Sequence, residues 1–112
     1  MRRFIAVMLG VCFLSNVFAA GSLSNAKVVS IRVDSSGKGV VYFDRPLGGT
    51  PPGCVISAYV SALAFNSDAG GKAVLALALA AKAQDSPITV IGLGTCSNFG
   101  SSVEDWDYGV VS

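Results

Sequence analysis

Residues 27–44 read KVVSIRVDSSGKGVVYFD, and the fold class turns on this stretch. Val29, Ile31 and Val33 alternate with Ser30, Arg32 and Asp34. A period of two is the mark of a strand with one face buried. Ser35 to Gly39 (SSGKG) has turn composition, and Val40 to Asp44 (VVYFD) is β-branched and aromatic, as strands prefer. Two such runs around a short glycine-containing turn predict a β-hairpin.

Toward the C-terminus the chain continues with Arg45 to Gly53 (RPLGGTPPG), whose three prolines and three glycines exclude a regular element. Val55 to Phe65 (VISAYVSALAF) reads as a third strand with a bulge or break near Ala62. Asn66 to Gly71 is a turn in which Ser67 or Asp68 can cap a following helix. Lys72 to Lys82 (KAVLALALAAK) predicts that helix, because alanine and leucine are strong helix formers, although Leu75, Leu77 and Leu79 also suit a strand. Pro87 ends it. Ile88 to Leu93 is a fourth strand, Gly94 to Ser102 a loop, and Val103 to Val111 a fifth strand. On the fifth, Glu104, Trp106, Tyr108 and Val110 share one face and Val103, Asp105, Asp107 and Gly109 the other. Five strands with one helix between the third and fourth predict a mainly β fold, a small OB-like Greek-key barrel whose helix plugs an open end. An open antiparallel sheet with the helix lying across it is the alternative.

Toward the N-terminus, residues 20–26 (AGSLSNA) read as a flexible leader to a single domain over 27–112. Before them, Arg2 and Arg3 precede a nearly unbroken apolar run from Phe4 to Leu14 and a small-residue exit, SNVFAA. That is the layout of a secretory signal, expected to be cut after Ala19, and its apolar run falls short of the ~20 residues that a membrane span needs. The protein is therefore expected in the periplasm or outside the cell, with no stable membrane span after cleavage. Cys12 leaves with the signal, so Cys54 and Cys96 remain as an even pair. An oxidising compartment favours a disulfide between them, worth about 4 kcal/mol by loop closure.

The chain of 112 residues is 52% hydrophobic and 13% charged, with mean hydropathy +0.60. Such a chain has too much apolar surface and too little charge to be disordered. The absence of histidine excludes His-based catalytic triads and His metal sites. Gly92-Leu93-Gly94 lacks the third glycine and the following helix of a dinucleotide site. Loss of Arg2 and Arg3 turns 8 basic against 7 acidic residues into 6 against 7, which offers no electrostatic track for nucleic acid. Asp105 and Asp107 lie two apart on one strand, an arrangement that usually keeps an edge soluble, so no enzyme activity, metal or cofactor is expected.

Sugar binding asks for less charge. Trp106 with Asp105 and Asp107, or Tyr42 with Asp44, can supply an aromatic platform with hydroxyl acceptors, although Trp106, Tyr108 and Val110 on one strand face read more strongly as core side chains. The tethered loop before Cys54 is a second candidate surface or else a rigid connector. On the helix, Val74, Leu77, Ala78 and Ala81 form one stripe, Leu75 and Leu79 a second beside it, and Lys72, Ala76, Ala80 and Ala83 the remaining side. So apolar a helix wants cover on most sides. A partner subunit packed on Lys72, Ala76, Leu79, Ala80 and Ala83 would provide it, as would burial under the domain's own strands.

The run GGKAVLALALAAKAQDSPITVIGLGTCS (70–97), followed by a closing EDWDYG (104–109), resembles small exported bacterial proteins and the single-domain B subunits of AB5 toxins such as the subtilase cytotoxin. The resemblance covers residues 27–111 as a layout of elements, not as a catalytic motif. It implies an OB barrel, a ring of five and recognition of cell-surface glycans. Two functional readings follow: an oligomeric, non-catalytic recognition module, or a structural or protein-interaction domain with no small-ligand site.

Overall fold

The computed structural model describes residues 20–112. The expected signal peptide, with Cys12, lies outside the described residues. Among the described residues seven strands form: β1 (Gly21–Ala26), β2 (Val28–Val33), β3 (Gly39–Phe43), β4 (Gly48–Gly49), β5 (Ala62–Phe65), β6 (Ile88–Gly92) and β7 (Trp106–Val111). One α-helix, α1 (Ala69–Gln84), separates β5 from β6.

The strands make two antiparallel sheets, β4-β1-β6-β7 and β2-β3-β5. The expected OB-like barrel is not formed. Neither sheet closes on itself, and one isolated bridge, Ala64 to Asp105, joins β5 to the chain just before β7. The reason lies at Asn25 to Lys27. Residues 21–33 run almost continuously extended, but the register of β1 on β6 slips between Leu23 and Ala26, and Asn25 takes a left-handed φ of 52°. Asparagine tolerates that conformation better than most residues. The chain turns a corner there, so its first half belongs to one sheet and its second half to the other. Lys27 pins the corner, donating its backbone N–H to Asp44 and its ammonium to the Asp85 carbonyl at the end of α1.

Residues 21–26 are thus not a leader. With no β-branched residue they still form β1, the inner strand between β4 and β6. The proline-rich loop is also not wholly irregular, since Gly48 and Gly49 pair with Ser22 and Gly21. The third predicted strand begins late: a short 3-10 turn at Ser57–Tyr59 precedes β5 at the break expected near Ala62. The hairpin of β2 and β3 and the helix form where the sequence places them. Asp68 caps α1, accepting from the Gly71 N–H at 2.8 Å.

The main core lies between the sheets and under the helix. Leu23, Val41, Phe43, Leu63, Phe65, Ile88, Val90 and Trp106 meet Ala78 and Ala81 there. The central strand β3 turns Val40 the other way, into a smaller cluster with Ala62, Ala64 and Val103.

Candidate interaction surface and its buried scaffold

Cys54 and Cys96 form the expected disulfide, with Cα atoms 6.3 Å apart. It ties the loop after β4 to the loop after β6. A second device holds the β6–β7 loop from within. Asp105 is buried, and its carboxylate accepts from the Ser97 and Asn98 backbone N–H groups at 2.9 and 2.7 Å and from the Thr95 and Ser97 hydroxyls. Its backbone N–H donates to the Thr95 carbonyl at 2.8 Å. Burial pushes the Asp105 carboxyl up, but the donors from Thr95, Asn98 and Ser97 outweigh it and hold it below the ordinary aspartate value. Donors that favour the charged form have this effect.

Glu104, its neighbour, is fully buried. Its carboxylate takes the Gly21 N–H on both oxygens, at 3.1 and 3.0 Å, and the Gly94 N–H at 3.0 Å. Burial pushes this carboxyl above the ordinary glutamate value; backbone donation from Gly21 and Gly94 opposes the shift, and the Asp105 charge adds to it. Gly92 makes the space. A Cβ there would stand 2.1 Å from a Glu104 oxygen. The Gly92-Leu93-Gly94 run therefore serves a carboxylate of the same chain: one glycine admits it and the other donates to it.

The candidate sugar residues are not brought together. The Trp106 ring lies in the core, 6.3 Å from Phe43, over Gly109, where a Cβ would stand 2.6 Å from it. A register slip between Ile91 and Gly92 opposite Tyr108 and Trp106 moves the tryptophan inward, so Trp106 and Tyr108 do not share a face. Asp105 is committed to the loop, and of the Asp105, Trp106 and Asp107 group only Asp107 is exposed. Tyr42 is half-buried, 6.4 Å from Tyr59, and Asp44 pairs with Arg45 at 3.2 Å. An open pocket of about 360 Å³ lies between the β2–β3 turn and the disulfide-tied loops, walled by Tyr59 and Phe99 with Lys38 at its rim. Among the described residues no three His, Cys, Asp or Glu side chains gather to hold a metal.

The helix is the reverse of this buried polar scaffold. Val74, Leu75, Leu77, Ala78 and Ala81 pack inward. Lys72, Ala76, Leu79, Ala80 and Ala83, the five residues read as an assembly face, are all exposed, with Leu79 at 51%. The domain covers one side of α1, packing it against β2, β5 and β7, and leaves the other open. The stripe expected of Leu75 and Leu79 splits: Leu75 goes to the core and Leu79 to the surface. On β2, a slip between Val28 and Ser30 buries Val28 and leaves Val29 and Val33 each 50% exposed on an edge strand. Among the described residues no helix is long and apolar enough to cross a membrane.

No protein-family model, no curated protein and no solved structure matches this chain. The resemblance to AB5 toxin B subunits is therefore unsupported. The ring of five and the glycan recognition it implied fall with it, as does the closed barrel that the two open sheets already contradict.

Proposed function

We propose that this protein is an exported, non-catalytic structural module that assembles with copies of itself through the outward face of α1 and the open edge of β2. The observation that carries the reading is the exposed stripe Lys72, Ala76, Leu79, Ala80 and Ala83, which holds one charge and otherwise alanine and leucine. Alanine lets a second backbone approach closely, and an apolar stripe facing water gains by association. The β2 edge adds half-exposed Val29 and Val33 and backbone groups that no strand of its own sheet pairs. A second copy offers an unlike edge in β7, where Tyr108 and Val110 are 55% and 54% exposed. Contact between unlike patches of identical chains is a common route to assembly. The exposed Cys54 of the disulfide supports export, since such bonds persist in oxidising compartments.

Light scattering on the processed, oxidised protein across a micromolar concentration series tests the reading. A mass that is a multiple of one chain is expected, returning to one chain in Leu79→Lys and Ala76→Glu. A wild-type protein that stays monomeric at about 100 μM, a concentration at which even weak micromolar contacts form, refutes it.

A further inference from the structure

Glu104 is a fully buried carboxylate whose hydrogen-bond donors are all backbone amides, and among the described residues it forms no ion pair with any lysine or arginine. The charged group whose field it feels is Asp105, of the same sign. Two backbone N–H donors, one of them shared by both oxygens, and no hydrogen-bond acceptor paired with it suit the ionised form, not the protonated one. A buried charge without a counter-charge is costly. The amide it holds on both oxygens belongs to Gly21, and the residue before Gly21 is held in turn, the Ala20 carbonyl accepting from the Thr50 N–H at 3.0 Å.

From this geometry we infer that Glu104 is the receptor for the amino terminus made by signal cleavage: the free α-ammonium of Ala20 supplies the counter-charge that the interior lacks, and processing locks the domain. The inference rests on cleavage after Ala19 and is independent of self-association. Hydrolysis of the Ala19–Ala20 bond adds the hydroxyl of water to the Ala19 carbonyl carbon and leaves Ala20 as an amine, protonated below about pH 8. Covalent geometry keeps the Ala20 nitrogen within about 4 Å of the Gly21 nitrogen, which itself lies 3.0 Å from a Glu104 oxygen. In the uncut chain the same position is a neutral amide. The sign of the linkage follows. An amine whose folded pKa is raised adds stability that is fully present below its unfolded value and is lost as pH rises through the folded one.

Intact mass of the processed protein comes first, and a chain that does not begin at Ala20 overturns the inference. NMR titration of the Ala20 α-amine is then expected to give a pKa clearly raised above the ordinary value of about 7.7–8.0. An ordinary value overturns it. Selective acetylation of that amine is expected to lower Tm by roughly 5 °C in a domain of this size, and an unchanged Tm overturns it. In Glu104→Gln the acetylated and free forms are expected to melt together; a persisting difference would place the effect elsewhere. Should Glu104→Gln not fold, the titration of the wild-type amine decides alone.

Discussion

The segment 92–106 and the helix α1 invert each other. The first carries Glu104 and Asp105 inside, both sealed from water, among glycines, hydroxyls and backbone amides. The second carries Leu79 and a row of alanines outside. Charge buried and hydrocarbon exposed is the opposite of what a small isolated domain favours. Each half of the inversion has its own reason. The acids act as internal brackets for a loop too irregular to satisfy its own amides. The helix face is apolar because, in the proposed assembly, it is an interface and not a solvent boundary.

The largest expected effect comes from breaking the buried half. Asp105→Ala strands the Ser97 and Asn98 amides and two hydroxyls, and charge-assisted bonds of this kind together cost roughly 5 kcal/mol when lost. Since whole domains have about 5–15 kcal/mol of stability, urea denaturation should show a chain at the edge of unfolding. Replacing Cys54 and Cys96 by serine is expected to cost slightly less, about 4 kcal/mol. Asp105 still organises the loop in that variant, so the same titration should find it folded. If the disulfide variant unfolds and Asp105→Ala does not, the covalent tie and not the carboxylate is the main bracket.

Acid sharpens the contrast within the buried half, because the two neighbouring acids titrate in opposite senses. Asp105, held low, contributes stability that is present above its unfolded value near 3.9 and is lost as pH falls through its folded value. Glu104, pushed up by burial, binds a proton in the folded chain before the unfolded chain does, so stability rises as pH falls between its folded value and an unfolded value of about 4.3. A chain whose Ala20 amine is blocked should therefore gain stability on mild acidification before losing it at lower pH. Glu104→Gln should abolish the rise and leave the fall, as followed by urea midpoints along a pH series.

How far the sequence discloses these two regions differs with the scale of the signal. The helix is legible because alanine, leucine and the Asp68 cap are local signals, and the exposure of Lys72, Ala76, Ala80 and Ala83 follows from a rotation of 100° per residue, whereas Leu79 shares a stripe with Leu75 in the sequence and parts from it only in the fold. The β2–β3 hairpin is legible for the same reason, down to its turn. The inner strand β1 is not, because GSLSNA has no β-forming composition. Its smallness at Gly21 is required by a carboxylate 83 residues away. Trp106 lies in the core as the alternation around it reads, but a register slip parts it from Tyr108 and Val110, which are exposed, and Val28 and Val29 exchange roles by another slip; a single extra residue in a ladder leaves no mark in an alternation pattern. Asp105 reads as an exposed strand acid, and Glu104 only as a member of the Trp106 face, because hydropathy cannot see the glycines and amides that receive them. The cluster of Gly92, Gly94, Thr95, Ser97 and Asn98 around Cys96 is the one trace they leave in the chain.

The smallest effect on folding is expected in the exposed half, and it tests whether the interface extends beyond the helix. Val33 is half exposed at the end of edge strand β2, so Val33→Lys buries no charge and should change the stability of the single chain by no more than about 0.5 kcal/mol. If the second copy covers the strand edge as well as α1, a lysine there meets apolar side chains or leaves an uncompensated charge in the contact, and dissociation on dilution should occur at a clearly higher protein concentration than in the wild type. Sedimentation velocity across a dilution series reads this directly. An unchanged dissociation profile would confine the contact to Ala76, Leu79, Ala80 and Ala83, and the half-exposed valines of β2 would then be the ordinary fraying of an edge.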